Sequence, residues 1–277
     1  RIEEDLGDQP EVQATLMHTM GRVYTSLGLY DPSVDLLQRA VEKREELSGP
    51  DDVTVAESLT TLSGVKTSLG EYEEAVEILV DSIERGATIW PENYYIVESM
   101  NGRLATTYRK MGRLDDALRT TEISASMALA RDGEESLAYA RRLRGLGHVL
   151  ADLARYQEAE ESYQRSLALA IRLEEENNYQ STLARLALAM LYNQQGRADE
   201  AETILRQAMP DQSYLSALQK TDFHQTLGES LSLQGRYEEA EELLLAALAE
   251  RQEMTGFRPV TLQPVLAAIA EHYRRAG

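Results

Sequence analysis

The chain has 277 residues, of which 43% are hydrophobic and 27% charged, a composition typical of globular proteins and unlike that of disordered ones. Its formal net charge of −19 argues against wholesale binding to nucleic-acid backbones, because that affinity depends on Lys and Arg that displace counterions. The absence of cysteine excludes disulfides, thiolate metal sites and a Cys nucleophile, and no apolar run approaches the roughly 18 residues of a membrane span.

Small residues recur along the chain at a nearly constant interval. They are Gly28, Gly70, Gly112, Ala154, Gly196, Gly235 and Gly277, spaced by 42 residues four times, then by 39, then by 42. A fixed period of this length indicates stacked supersecondary units, each unable to bury its apolar face alone. Alanine and leucine dominate over β-branched and aromatic residues, so we predict that the units are helical.

The first unit shows how each repeat is built. Apolar residues recur at three- and four-residue spacings on both sides of Gly28: Leu16, Met20, Val23 and Leu27 before it, and Val34, Leu37 and Val41 after it. This pattern predicts two helices joined by a tight turn.

Two further sets of residues are expected to hold the helices together. Ala75, Ala159 and Ala240, each three residues after a tyrosine, should allow close helix approach. We also expect Gly28, Gly70, Gly112, Gly196 and Gly235 at turns, and Leu62, Leu104, Leu146, Leu188 and Leu227 buried between helices.

These motifs resemble the tetratricopeptide repeat family. Its first-helix pattern, Leu-Gly-x-x-Tyr, is matched with one change by Met20-Gly21-Arg22-Val23-Tyr24 and approximated by residues 104–108 and 188–192. Lys66 and Ser33 depart from the pattern, where the family prefers Tyr and Ala. The resemblance implies an all-α, right-handed superhelical solenoid of antiparallel helix hairpins, with the first helices along its concave wall.

The register predicts one solenoid over residues 1–277. Residues 1–10 are expected to be the tail of a preceding repeat, about 12–258 to hold six full repeats, and 259–277 to be the first helix of a seventh, so that the chain is a fragment of a larger protein. The long period is similar to the kinesin light chain type, and Asp8 to Tyr30 resembles the C-terminal repeat region of bacterial serine/threonine kinases.

No constellation of residues predicts catalysis. His18, His148, His224 and His272 lie in different repeats without metal-ligand spacing, and we expect no metal and no cofactor. Ser63 and Lys66 spell S-x-x-K, but the companion K-T-G is missing, so Ser63 is interpreted as a small packing residue. We therefore predict that the chain is not an enzyme.

The candidate binding residues are basic positions on first helices, followed by an apolar group. They are Arg103 and Lys110, then Arg141, Arg144 and His148, then Leu183, Leu186 and Met190. If consecutive first helices are neighbours, these residues form a positive strip in a concave groove, suited to an acidic or phosphorylated protein or peptide with an apolar anchor. The alternative is that the arginines only neutralise nearby acids.

The resemblance implies a non-catalytic interaction scaffold or sensor module of a larger bacterial regulatory protein. The clamp by which chaperone-binding relatives hold a terminal carboxylate is missing, since His18, Arg22, Thr61, Ser99 and Arg103 fill its slots. Self-association through incompletely capped ends is the alternative, and an enzymatic or small-ligand pocket is a third hypothesis without a catalytic set. The compartment stays open: cytoplasmic by default, extracytoplasmic if the array belongs to a membrane-anchored kinase.

Overall fold

The computed structural model describes residues 8–89, 94–173, 179–208, 215–255 and 259–277. Within these ranges the chain forms thirteen α-helices and no strand, which confirms the predicted all-α class. The helices are α1 Pro10–Ser26, α2 Tyr30–Ser48, α3 Val53–Leu69, α4 Tyr72–Ile89, α5 Tyr94–Lys110, α6 Leu114–Asp132, α7 Leu137–Asp152, α8 Tyr156–Leu173, α9 Tyr179–Gln194, α10 Ala198–Ala208, α11 Ala217–Leu233, α12 Tyr237–Thr255 and α13 Pro259–Ala276. Most of the predicted preceding helix tail, residues 1–7, lies outside the described residues.

The helices are organised in two compact units, residues 1–131 and 132–277. The first unit holds α1 to α6, and the second holds α7 to α13. Within each unit, consecutive helices pack as hairpins and the first helices of successive hairpins also contact one another. A single array of six full repeats from end to end stays a prediction.

Left-handed residues join the two helices of the hairpins. The predicted turn glycines Gly28, Gly70, Gly112, Gly196 and Gly235 all have φ between 74° and 85°, which confirms their placement. At Gly70 the turn is closed by hydrogen bonds from Gly70 N to Thr67 O (3.3 Å) and from Glu71 N to Lys66 O (3.0 Å), satisfying carbonyls that the helix end leaves open. In the α7–α8 hairpin Ala154 adopts φ 59°, a conformation that strains a residue with a Cβ.

Small residues allow the helices of each hairpin to approach closely. Ala75, Ala159 and Ala240 are each 0% exposed, as predicted. On the facing helix, a Cβ added to Gly147 would lie 2.5 Å from a ring carbon of Tyr163, closer than real Cβ contacts occur. Gly21 meets Leu37 in the same way, so glycine is required wherever a large side chain from the second helix rests on the first-helix backbone.

The predicted leucine layer is confirmed with one exception. Leu62, Leu104, Leu188 and Leu227 are between 1% and 6% exposed, but Leu146 is only partly buried. The prediction for Leu146 was wrong because Leu143, Gly147 and Leu150 supply the buried face of α7. Helical spacing then directs Leu146 to the border of that face.

The two departures from the repeat pattern are accommodated by polar contacts. Lys66 is largely buried, but its ammonium group pairs with Glu71 (2.8 Å) and Glu74 (2.9 Å) across the turn. Ser33 donates from Oγ to the carbonyl of Gly21 at 2.8 Å. Both polar groups therefore satisfy their hydrogen-bonding capacity inside the hairpin.

We expect opposite stability changes from two substitutions in one hairpin. Gly147→Ala should lower the free energy of unfolding by about 1 to 3 kcal/mol through overpacking against Tyr163, despite the better helix propensity of alanine. Ala154→Gly should raise it by up to about 1 kcal/mol by relieving the positive φ. Urea unfolding followed by circular dichroism measures both, and a stabilised Gly147→Ala protein would contradict the close approach.

A second prediction compares two leucines. Leu188→Asp should cost about 3 kcal/mol or more, because Leu188 is 1% exposed and the new carboxylate would be buried without a partner. Leu146→Asp should cost clearly less, because water reaches this partly buried position. Equal losses in thermal and urea denaturation would show that the burial of these residues is misassigned.

Candidate functional site

The first helices of successive hairpins form a wall in each unit. In the first unit these helices are α1, α3 and α5, and in the second they are α7, α9, α11 and α13. Within each unit, each of these helices contacts the next one along the wall. Side chains at equivalent repeat positions are thereby brought side by side.

The wall of the first unit contains a polar cavity of about 300 Å³. Residues of three first helices line it: His18, Arg22, Glu57, Thr60, Thr61, Tyr95, Ile96, Ser99 and Arg103. All five residues that occupy the slots of the chaperone-type clamp are in this set, although they lack its residue types. The sequence reasoning missed Tyr95 and Glu57, whose side chains form a hydrogen bond from the Tyr95 hydroxyl to Glu57 Oε1 at 3.2 Å.

A buried arginine, Arg44, places a positive charge beside this cavity. Arg44 is 9% exposed and donates from Nη1 to Ser58 Oγ at 2.8 Å, while Ser58 Oγ lies 3.2 Å from Nδ1 of His18. Burial, together with the positive charges of Arg44 and Arg22, lowers the pKa of His18 to about 4. His18 is therefore neutral at physiological pH and contributes hydrogen bonds rather than charge.

Arg103 and Lys110, the first two predicted site residues, belong to α5 in the first unit. Arg103 lies across α3, since a Cβ added to Gly64 would collide with its guanidinium group. Lys110 is exposed at the end of α5, seven residues along the same helix. Only Arg103 of this pair lines the cavity.

In the second unit, Arg144 of α7 lies in a largely buried environment against α9. Its Nη1 donates to Oε1 of Gln180 at 2.9 Å. Burial lowers the pKa of Arg144 to about 10, and the neighbouring charges of Arg141 and Arg142 act in the same direction. Among the residues that the structure describes, no carboxylate lies within salt-bridge distance of this guanidinium.

The other two predicted residues of α7 differ in environment. Arg141 is exposed, one turn before Arg144. His148 is partly buried, with Nδ1 2.8 Å from the hydroxyl of Tyr163 and the two rings packed edge to face. The second helix α8 therefore fixes the His148 ring.

The predicted apolar group on α9 contributes unequally to the surface. Met190 is 50% exposed and Leu183 is half-buried. Leu186 is only 7% exposed, so its side chain serves mainly the packing between helices. The apolar surface offered to solvent is that of Leu183 and Met190.

The next first helix, α11, carries acidic residues, Asp222 and Glu229, at two of the three equivalent positions. Glu229 is partly buried and accepts a hydrogen bond from Nε2 of Gln225 at 2.9 Å. Burial raises the pKa of this carboxyl. The sequence places Glu229 on the wall, but does not reveal its burial.

The predicted residues thus fall into two groups. Arg103 and Lys110 lie in the first unit, and Arg141, Arg144, His148, Leu183, Leu186 and Met190 lie in the second. Within the second unit, α7 and α9 are in contact, which brings the last six residues to neighbouring helices. A continuous strip from Arg103 to Met190 stays a prediction.

Neither a metal centre nor a membrane span is found in the described ranges. No group of three or more His, Asp or Glu side chains there could hold a metal ion. No described helix combines the length and apolarity needed to cross a bilayer.

Comparison with protein families gives matches along most of the chain. Two tetratricopeptide repeat models match, one at residues 12–85, 96–172 and 143–211, and the other at residues 225–259. No catalytic family is among these matches. No curated protein matches the chain at a significant level.

Solved structures of helical-repeat proteins share the fold at low identity. BtubC (BKLC) from P. vanneervenii is 20% identical, with a TM-score of 0.63 over 83% of this chain and 94% of BtubC. A kinesin light chain described as putative, from Podosopora anserina, is 20% identical, with a TM-score of 0.56 over 72% of this chain and 94% of its own. A Rap protein complexed with Competence and Sporulation Factor is 17% identical, with a TM-score of 0.64 over 95% of this chain and 76% of the Rap protein.

We expect the free energy of unfolding to depend on pH in the acid range, because His18 is neutral in the folded state. Its pKa is lowered from 6.5 to about 4 in the folded state, so the unfolded state binds the proton more readily. The contribution of His18 to stability is present above pH 6.5 and is lost as pH falls towards 4. NMR titration of the imidazole should show this pKa, and Arg22→Gln should raise it; a midpoint near 6.5 in the unmodified chain would contradict the assignment.

Proposed function

The chain belongs to the tetratricopeptide repeat family of protein-interaction scaffolds, and we propose that it binds an acidic or phosphorylated segment of a partner protein on the wall of its second unit. The segment pairs with Arg144 and Arg141 of α7 and places an apolar side chain against Leu183 and Met190 of α9. The chain acts without catalysis, as the interaction or sensor module of a larger bacterial regulatory protein. The kinase-array resemblance of residues 8–30 supports this context.

Arg144 is the observation that carries the proposal. A largely buried guanidinium has lost much of its hydration, and its one hydrogen-bond acceptor within the described residues is the neutral amide of Gln180. Guanidinium donors match the oxygens of carboxylate and phosphate in a bidentate arrangement. An anionic group at this position would compensate a charge that the fold itself leaves uncompensated.

The neighbouring surface supports an apolar anchor beside the anion. Leu183 and Met190 lie on α9, the helix that also carries Gln180. Methionine adapts its shape to different partners, and 50% of the Met190 surface is available. The Rap protein, solved with Competence and Sporulation Factor, is a protein of this fold holding a bound factor.

Self-association is a second candidate function, favoured by the apolar face of α1. Val12, Leu16 and Val23 are between 38% and 45% exposed. The equivalent positions two repeats later include Ile96 and Met100, at 3% and 0% exposure, because the preceding hairpin covers them. A second copy of the chain would cover this face of α1, and light scattering over a concentration series measures the resulting dimer.

The proposed function predicts a charge-dependent affinity for synthetic peptides. Fluorescein-labelled nine-residue peptides with a central Leu and one Glu or phosphoserine should bind the full chain more tightly than their Gln or Ser analogues. Arg141→Glu with Arg144→Gln should weaken this binding about tenfold or more, as expected for the loss of charged hydrogen bonds. Arg165→Glu with Arg172→Gln, on the second helix α8, lowers the net charge by the same amount and should leave the affinity unchanged.

Fluorescence anisotropy at several salt concentrations measures these affinities. Circular dichroism confirms that the variants remain folded. Equal binding of acidic peptides and their neutral analogues would overturn the proposed function, and so would undiminished binding by the folded α7 variant.

A further inference from the structure

The wall of the second unit changes its chemistry from one first helix to the next. On α7, α9 and α11 the wall is formed by residues at three equivalent positions, counted back from the hairpin turn. They hold Arg141, Arg144 and His148 on α7, Leu183, Leu186 and Met190 on α9, and Asp222, Gln225 and Glu229 on α11. The wall is basic on one side of α9 and acidic on the other.

Glu229 is the acidic counterpart of Arg144 on α11, one helical turn along the wall from the position equivalent to Arg144. Its carboxylate accepts from the neutral amide of Gln225 at 2.9 Å, and no cation lies within salt-bridge distance in the part of the chain that the structure describes. The positive charge of Arg275 acts on it, but Arg275 donates its hydrogen bond to Glu271 at 2.8 Å. Burial raises the pKa of Glu229, as expected for a carboxyl whose charge is poorly compensated.

Two opposite charges are therefore held in place by amides alone. Gln180 orients Arg144 and Gln225 orients Glu229, each at 2.9 Å. Partial burial without an ionic partner is costly for both groups, and both costs fall when oppositely charged groups bind. Charged side chains elsewhere in this unit form salt bridges with one another, as Arg197 does with Glu160 at 2.7 Å.

We propose that the wall of the second unit binds a dipolar protein segment, with an anionic group on Arg144, a Lys or Arg side chain on Glu229, and an apolar side chain between them against Leu183 and Met190. This inference rests on the proposed function, which assigns only the anionic and apolar ends. The new element is the cationic end, which fixes the direction in which the segment lies across the wall.

The helix spacing limits the distance between the two charges. α7 contacts α9, and α9 contacts α11. Packed helix axes lie about 8 to 10 Å apart, so the charged groups of α7 and α11 are separated by about 16 to 20 Å. An extended chain rises about 3.3 Å per residue, so this span corresponds to about five or six residues.

A peptide series tests this spacing. Fluorescein-labelled peptides contain one Glu or phosphoserine, a Leu between the charges, and one Arg placed three to eight residues away, in both chain directions. Each peptide has an analogue with Gln in place of Arg. Fluorescence anisotropy with the full chain should give the highest affinity near five or six residues, in one direction only.

A double-mutant cycle assigns the cationic end to one carboxylate. Glu229→Gln preserves size and should weaken the best Arg peptide about tenfold, to the level of its Gln analogue, without affecting that analogue. Glu242→Gln removes the same charge from the exposed side of α12 and should change neither affinity. It controls for the general attraction of Arg to an acidic protein.

The outcomes separate this inference from the proposed function. If acidic peptides bind through the α7 arginines but the Arg peptides match their Gln analogues at every spacing, the dipolar segment is overturned and the proposed function stands. If no peptide binds better than a neutral one, or the mass rises with concentration because a second copy covers the wall, both are overturned. The comparison of each Arg peptide with its Gln analogue on the unmodified chain stays decisive if Glu229→Gln fails to fold.

Discussion

The close approach of the two helices in each hairpin is the contact on which the rest of the structure depends. At Gly21, Gly147 and Gly228 of the first helices, a large side chain of the second helix rests directly on the backbone, as Tyr163 rests on Gly147. That contact fixes the rotation of the first helix, and so decides which of its residues face the neighbouring repeat and which face the wall. In α7 the same tyrosine also meets the ring of His148, so one packing contact positions a wall residue directly.

Ion pairs at the hairpin turns connect successive repeats of the second unit. Arg197 follows a turn glycine and contacts Glu200 in its own hairpin and Glu160 in the preceding one, at 2.7 Å each. Arg236 joins Glu239 and Glu202 in the same way. Each exposed pair contributes little to the free energy of unfolding. Their repetition at equivalent positions links each of these hairpins to the preceding one.

The recurring features of the structure could be predicted from the sequence, whereas the burial of individual side chains could not. The period, the left-handed turns and the small residues at the hairpin contact could be predicted because each follows from backbone geometry at a recurring position. Helical spacing assigns a residue to a face but not to a depth, so it misplaced Leu146 and did not reveal that Leu186 is buried. The surroundings of Arg144 and His18 depend on Gln180 and Ser58, which lie 36 and 40 residues away, and no local pattern identifies such partners.

Because the net charge of the chain is −19, the two ends of a bound segment would act at different stages of its association with the wall. Exposed charges are largely screened beyond the Debye length, which is about 8 Å at physiological salt. Within that distance, an acidic surface attracts cations and repels anions. An approaching dipolar segment would therefore be oriented with its cationic end towards α11. Arg144 acts only over a short distance, but its burial gives it a lower effective dielectric and a stronger interaction with a carboxylate or phosphate. In this arrangement the acidic background aligns the segment, while the largely buried guanidinium determines how long it stays.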